Sequence, residues 1–262
     1  MMSSEPVLYS RLDGGVAVLS INDAPLNRMS LAVVERLEAL LERVEQDDGV
    51  RAFVITAAGT TNFSVGMDLK ELGKGLHDAG GVDAFFDRRL RLIRRIETMD
   101  KPSVATLFGH CLGGGLELPL GCTFRVAAAE GARIGLPELH LGSVPAWGGS
   151  ARLARCVGRN HALDMILRSK RLSGPEALSI GLVHEVWPLD ELEQRAISLA
   201  IELAAQPRVA VASMLAALVD ADDRSLDDLL AAERLGVHAT LGSADADEGM
   251  RAFLEKRPPV FN

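Results

Sequence analysis

The sequence has few cysteines and no metal-binding spacing of histidines. Its three cysteines (Cys111, Cys122 and Cys156) are odd in number and include no CxxC pair, which fits neither a disulfide framework nor a structural zinc site. The six histidines show no HxxxH or HExxH spacing. We therefore expect a protein of a reducing compartment that holds no metal ion.

The sequence also lacks an excess of basic residues and long hydrophobic runs. Lysine and arginine number 28 against 36 aspartates and glutamates, which gives a net charge of −8. This balance argues against a nucleic-acid surface or a polybasic membrane anchor, but leaves room for a basic pocket that binds a phosphorylated ligand. No apolar run reaches the roughly 18 residues of a membrane span, and the N-terminus has no signal-peptide pattern. We expect a cytoplasmic protein with neither a membrane nor a nucleic acid as partner.

Over roughly the first 140 residues, strand patterns alternate with helix patterns. Two loosely alternating segments flank the turn Asp13-Gly14-Gly15, which predicts a β-hairpin. A helix capped by Ser30 and a buried strand over residues 52–56 follow. This order is typical of an α/β sheet with crossover helices. A further amphipathic helix is predicted at 82–98. From residue 149 onward the chain is mainly helical, with helices predicted at 189–205, 208–219, 225–240 and 245–255 and a short strand at 183–186.

Three consecutive glycines, Gly113-Gly114-Gly115, follow a predicted strand and precede a predicted helix. Such a turn allows positive φ angles and close backbone approach, and the free N–H groups of a helix start favour negative charge. A phosphate cradle, an oxyanion hole and a tight packing turn all fit. The phosphate interpretation is weak because the chain has no P-loop and no dinucleotide fingerprint, and the absence of a GxSxG elbow excludes an α/β-hydrolase. A second glycine turn, around Gly66, could direct another N–H at the same oxygen.

Two glutamates lie in apolar surroundings near these turns. Glu117 and Glu138 each occupy the start of a predicted helix just after a strand. A carboxylate among apolar neighbours is costly unless it is paired or protonated. Each glutamate alone could be an exposed residue or a partner of the helix dipole. Two of them beside a glycine-rich turn favour general acid–base catalysis.

Six segments of the chain carry a family pattern. They are residues 62–71 (NFSVGMDLKE), 109–118 (GHCLGGGLEL), 135–142 (GLPELHLG), 145–153, 177–183 and 253–261. Together and in this order they resemble the crotonase (enoyl-CoA hydratase/isomerase) superfamily. The resemblance implies an α/β fold, a crotonase-like spiral of ββα units with a C-terminal helical trimerisation region. Residues 1–190 would form the acyl-CoA-binding catalytic core and residues 191–262 the oligomerisation region of a homotrimer or a dimer of trimers.

The resemblance also implies a site for an acyl-CoA thioester, with no cofactor beyond the coenzyme A of the substrate. The backbone N–H groups of Met67 and Gly114 would bind the thioester oxygen as it gains enolate charge. Glu117 and Glu138 match the glutamate pair of the family's hydratases. In that pattern Glu117 activates water and Glu138 exchanges the α-proton.

Further residues are implied in substrate binding. The segment Met67, Asp68, Leu69 and Lys70 matches the turn that runs along the CoA, with Lys70 near a phosphate. Lys256 would reach the CoA of a neighbouring subunit. Met67 and Trp147 are larger than the residues common at these positions, so the resemblance predicts a narrowed acyl pocket lined by Met67 and Trp147.

Two alternatives to an enoyl-CoA hydratase stay open. A Δ3,Δ2-enoyl-CoA isomerase, or another lyase of the crotonase type, works with the same fold and can run on one carboxylate. An RNA-binding member of the superfamily would need a basic helix face, for which the arginine-rich residues 88–95 are the candidate. The net negative charge favours a solvated or interfacial helix instead.

Overall fold

The computed structural model describes residues 5–261, and the strands of this part form two sheets. In chain order the strands are β1 (Val7–Leu12), β2 (Val16–Ile21), β3 (Ala52–Ala57), β4 (Ser103–Leu107), β5 (His110–Leu112), β6 (Phe124–Ala128), β7 (Arg133–Gly135) and β8 (Glu185–Trp187). The larger sheet has the order β1-β2-β3-β4-β6-β8, and β5 pairs with β7 in the smaller one. The hairpin β1–β2 is antiparallel, with Val7 opposite Ile21, whereas the remaining strand pairs are parallel.

The helices connect these strands and then continue to the C-terminus. They are α1 (Leu31–Gln46), α2 (Leu72–Ala79), α3 (Val82–Thr98), α4 (Gly114–Leu120), α5 (Gly149–Leu167), α6 (Gly174–Ser179), α7 (Leu189–Ala204), α8 (Arg208–Leu218), α9 (Leu226–Thr240) and α10 (Ala244–Glu255). Parallel strands need such crossover connections, since a tight turn cannot join them.

Local sequence explains the central elements. Every residue of β3 is buried, as expected for a short apolar strand covered on both faces. Helix α1 begins where the Ser30 hydroxyl accepts a hydrogen bond from Val33 N–H, and it buries Leu37, Leu41 and Val44 along one face. Helix α7 packs across β2, β3, β4, β6 and β8. The core therefore lies between the larger sheet and its covering helices.

From β4 to β7 the chain places successive strands alternately in the two sheets. Strand β4 belongs to the larger sheet, β5 to the smaller one, and α4 completes this ββα unit; β6 and β7 repeat the arrangement. Ser64 extends the smaller sheet by a bridge to Cys111 of β5. The predicted α/β architecture of ββα units is confirmed, and it brings the loop after β3 against the glycine turn after β5.

Two local features differ from the sequence-based prediction. Strands β5 and β7 were not predicted because three residues are too few to show an alternating pattern. The helix expected after Pro137 is a single 3-10 turn, Glu138–Leu141, which ends at Gly142 in a left-handed conformation.

The C-terminal helices differ in how they pack. Helix α7 covers the larger sheet, whereas α8 packs mainly against α9. The division of the chain at residue 190 stays a prediction. Among residues 5–261 no single helix is long and apolar enough to cross a membrane; α7 and α8 pass that test only as a pair bent by 108°.

Candidate active site

Two loops approach each other through their backbones. Ser64 N–H donates to His110 O at 3.0 Å, and Leu112 N–H donates to Ser64 O at 3.1 Å. Gly66 has a φ of 98°, and a Cβ there would lie 2.7 Å from Leu112 O and 3.6 Å from Gly114 N. A side chain at Gly66 would therefore push the loops apart. The close approach that the two glycine turns predict is present.

These loops leave two neighbouring N–H groups for a ligand. Met29 N–H donates to Gly66 O and Asp68 N–H donates to Met29 O, so both peptides that flank Met67 are held. Within residues 5–261 no hydrogen bond uses Met67 N–H as its donor. Gly114 is the first residue of α4, and its N–H has no acceptor within the helix. Neither N–H group therefore has an acceptor among the described residues.

Each of the three consecutive glycines is required by a different neighbour. A Cβ at Gly113 would lie 2.9 Å from Glu138 Oε1, and one at Gly114 would lie 2.9 Å from the Trp147 ring. A Cβ at Gly115 would lie 2.5 Å from Ser64 O, which is shorter than van der Waals contact. The glycines therefore serve packing as well as the N–H donor.

Glu117 is held by the loop that precedes α5. Its side chain is 2% exposed, and its Oε1 accepts hydrogen bonds from Trp147 N–H at 2.8 Å and Gly149 N–H at 2.9 Å. Burial raises the pKa of Glu117 to about 7, against the lowering effect of these two donors, and the charge of Glu138 adds to the increase. The carboxyl group can therefore take up and release a proton near neutral pH.

Glu138 faces the same glycine turn from the opposite loop. It starts the 3-10 turn after β7 and is half-buried. Its Oε2 is buried and has no hydrogen-bond partner among the described residues. Burial raises the pKa of Glu138. The structure thus places Glu138 against Gly113 and Glu117 one helical turn later on α4, where the charge of Glu138 acts on it.

Trp147 is buried over Gly114, and a second set of contacts holds its backbone. Arg152 Nη1 donates to Trp147 O at 3.1 Å, and Arg152 forms an ion pair with Glu97 at 3.0 Å. These contacts orient the two N–H groups that bind Glu117. No role for Arg152 or Glu97 could be predicted from the sequence, because the two residues lie 55 positions apart and meet only where α5 approaches α3.

The residues predicted to bind CoA fall into two groups. Asp68 caps the 3-10 turn Leu69–Glu71 by accepting from Lys70 N–H, and its carboxylate pairs with Arg28 at 3.3 Å. Lys70 and Leu69 are exposed beside Met67. Lys256 is exposed at the end of α10, and no contact among the described residues joins it to these loops.

The arginines of residues 88–95 are mostly engaged within the chain. Arg88 binds Glu38, Arg94 binds Asp220 and Glu97, and Arg95 binds Glu45. Arg89 is buried. The helix therefore presents largely paired charges, which does not favour the RNA-binding alternative.

The fold is an α/β spiral, and two carboxyl groups lie near two backbone N–H groups that have no acceptor among the described residues. The family model described as enoyl-CoA hydratase/isomerase matches residues 11–262. The chain therefore belongs to this family of the crotonase superfamily, and the predicted family and fold class are confirmed.

Relatives with similar sequences and structures carry hydratase names. A probable enoyl-CoA hydratase of Bacillus subtilis is 40% identical over 95% of this chain and 96% of its own length. A short-chain-enoyl-CoA hydratase of Clostridium acetobutylicum is 33% identical over 94% of this chain and 93% of its own. The crystal structure of an enoyl-CoA hydratase from Geobacillus kaustophilus superimposes with a TM-score of 0.92 at 29% identity, covering 100% of this chain and 98% of that one.

Proposed function

We propose that this protein is an enoyl-CoA hydratase that adds water across the C=C bond of a 2-enoyl-CoA thioester. The observation that carries the proposal is a pair of carboxyl groups near the glycine turn: half-buried Glu138 lies against Gly113, and buried Glu117, four residues after Gly113 on α4, is close enough to feel the charge of Glu138. One carboxylate is enough to move a double bond, but adding water needs one proton removed and another delivered.

The mechanism follows from these positions. Ionised Glu117 accepts a proton from water while the water oxygen forms a bond to the β-carbon. The π electrons of the C=C bond move towards the thioester, and the charge collects on its oxygen. Protonated Glu138 then delivers a proton to the α-carbon, which restores the thioester carbonyl. Burial raises the pKa of Glu117 to about 7, so this carboxyl group can gain and lose a proton near neutral pH, and burial also raises the pKa of Glu138.

The backbone donors stabilise the intermediate. The N–H groups of Met67 and Gly114 bind the thioester oxygen more strongly as it becomes an enolate oxygen. Removing one such donor from an oxyanion hole typically costs about 10²–10³-fold in rate. No cofactor beyond the CoA of the substrate takes part in these steps.

We further propose that the enzyme works as a trimer or a dimer of trimers. Helices α8 to α10 expose a large apolar surface, which an isolated chain would leave in water. Its exposed apolar side chains include Val209, Met214, Leu218, Leu226, Leu230, Leu235, Val237, Leu241, Met250, Phe253 and Leu254. A second copy of the chain would cover this surface and carry Lys256 towards a neighbouring CoA, while Lys70 meets a phosphate of the CoA in its own subunit.

Product mass tests the reaction directly. The enzyme is mixed with a panel of 2-enoyl-CoA and 3-enoyl-CoA thioesters. The loss of enoyl absorbance is measured by spectrophotometry, and the mass of each product is then measured by mass spectrometry. A gain of one water from a 2-enoyl-CoA supports hydration. A shifted double bond at unchanged mass identifies an isomerase, and no change in any thioester contradicts both activities.

A further inference from the structure

Arg89 of α3 is a buried cation without an anionic partner. Its side chain is 2% exposed, and its guanidinium makes one hydrogen bond within residues 5–261, from Nη1 to Phe85 O at 2.8 Å. Its Nε is buried and has no acceptor there. The acid whose charge acts on it, Glu38, is bound by both Nε and Nη2 of Arg88. An unpaired charge inside a protein costs several kcal/mol, so such a group calls for a partner.

Two other buried cations of the same chain are satisfied internally. Lys101 donates to the carbonyl oxygens of Val44, Glu45 and Asp47 at the end of α1. The guanidinium of Arg125 donates to three backbone carbonyl groups, those of Leu182, Pro119 and Cys122. The lack of acceptors at Arg89 is therefore not a general property of buried cations in this fold.

Aromatic rings hold the Arg89 guanidinium. Its central carbon lies 3.4 Å from the centre of the Phe85 ring and 5.4 Å from the centre of the Trp147 ring. Such contacts use the faces of the planar group and leave N–H donors at its edge. Burial lowers the pKa of Arg89 to about 10, so the group stays charged at neutral pH.

Arg89 lies beside the Trp147 ring, which also covers the glycine turn of the proposed site. Trp147 covers Gly114 with its ring and donates its backbone N–H to Glu117, and Arg89 contacts the same ring. Arg89 also lines a cleft of about 410 Å³ between α1, α2 and α3. One indole ring therefore contacts both the guanidinium of Arg89 and Gly114.

The other charges of this cleft do not supply an anion to Arg89. Lys74 pairs with Asp78 at 2.9 Å, and Arg88 pairs with Glu38. Arg91 and Glu35 are exposed at its rim. The buried positive charge of the cleft is therefore that of Arg89.

We propose that Arg89 binds a carboxylate at the far end of a short acyl group, so that the substrate is a 2-enoyl-CoA with an acidic acyl terminus. The inference rests on the proposed function, because it requires the thioester to lie at Met67 and Gly114. A hydrogen bond between charged groups contributes about 1.5–3 kcal/mol, which corresponds to roughly 10- to 100-fold in affinity.

Saturated acyl-CoA thioesters, which cannot be hydrated, test the proposal by calorimetry. Glutaryl-CoA and valeryl-CoA have the same five-carbon chain and differ in the terminal carboxylate. We expect the native enzyme to bind glutaryl-CoA about 10- to 100-fold more tightly. In Arg89→Met this preference should disappear, whereas the matched variant Arg95→Met, on the same helix but outside the cleft, should keep it.

The outcomes separate this inference from the proposed function. Equal affinity of the native enzyme for both thioesters overturns the role of Arg89 and leaves the hydratase proposal standing. Binding of neither thioester overturns both. A preference that survives in Arg89→Met also contradicts the inference. If Arg89→Met does not fold, as judged by circular dichroism, the comparison of the two thioesters on the native enzyme still decides.

Discussion

The catalytic spiral and the C-terminal helices depart from the usual distribution of residues in opposite ways. Around α4 the chain buries ionisable groups, with Glu117 and Arg89 each 2% exposed. In α8 to α10 it exposes large apolar groups, with Phe253 79% and Leu241 77% exposed. Both arrangements cost free energy in an isolated chain. The buried ionisable groups of the spiral would be stabilised by a charged or reacting ligand. The exposed apolar groups of α8 to α10 would be stabilised by contact with an apolar protein surface.

The largest effects should follow from removing the two carboxyl groups of the proposed site. Glu117→Gln and Glu138→Gln keep the shape of each side chain but remove proton transfer, so each should lower kcat by about 10²–10⁴-fold. Because both groups act on one addition of water, the double variant should be little slower than the slower single variant. Steady-state kinetics with a 2-enoyl-CoA measure this.

An isomerase would respond differently, with one damaging and one mild substitution. Native activity in both single variants would contradict the mechanism with two glutamates. Thermal unfolding of the same variants distinguishes lost catalysis from lost folding.

The next effect concerns the stability cost of burying Glu117. Folding raises its pKa from 4.5 to about 7, so the folded state binds this proton more tightly than the unfolded chain. The stabilisation is complete below about pH 4.5 and is lost as the pH rises through about 7, a change of roughly 3 kcal/mol. Since Gln cannot ionise, Glu117→Gln should retain this stability and exceed the native enzyme by up to about 3 kcal/mol at about pH 8.

Urea unfolding at two pH values checks this expectation. The exposed Glu193 on α7 offers a control, because Glu193→Gln should follow the native pH dependence. A parallel pH dependence of the native enzyme and Glu117→Gln would show that burial of this carboxyl group has no energetic cost.

Elements and site residues with a local sequence pattern could be predicted, whereas the unpaired state of Arg89 could not. The hairpin, α1 and β3 were predictable because their patterns are local, and the glycine turn with Glu117 was recognisable for the same reason. Arg89 was one arginine among five between residues 88 and 95. Within the described part of the chain, Arg89 lacks an acidic partner because the nearby acids pair with other arginines of the same helix. Glu38 binds Arg88 and Glu45 binds Arg95, each across 50 positions, and Asp220 binds Arg94 across 126 positions. Such pairing is a property of the packed helices.

A smaller effect should separate the C-terminal helices from the spiral. Leu254 is 72% exposed at the end of α10, and Leu254→Asp would place a charge in the proposed contact between subunits. Burying an unpaired charge in an interface costs about 2 kcal/mol or more, so the oligomer should dissociate at micromolar concentration. Light scattering should give a lower mass for this variant.

A matched substitution outside this region provides the control. Val82 is 59% exposed at the start of α3, where an acidic residue suits the helix dipole, so Val82→Asp should leave the mass unchanged. A native enzyme that is itself monomeric would contradict the role of α8 to α10.

The smallest effect is expected at the exposed rim of the spiral, between these two extremes. Lys70 is exposed, and among residues 5–261 it makes no ion pair, so its contact with a CoA phosphate would be screened by water. An exposed ion pair contributes about 0–1 kcal/mol, and Lys70→Met should raise KM at most about fivefold with kcat unchanged. The change in KM should shrink as salt is added, because salt screens exposed charges.

Lys74→Met is the matched control. Since Lys74 already pairs with Asp78 at 2.9 Å, this variant should leave KM near the native value. Equal KM values for the two variants would show that Lys70 does not contact CoA. A large fall in kcat for Lys70→Met would instead show that Lys70 orders the loop around Met67.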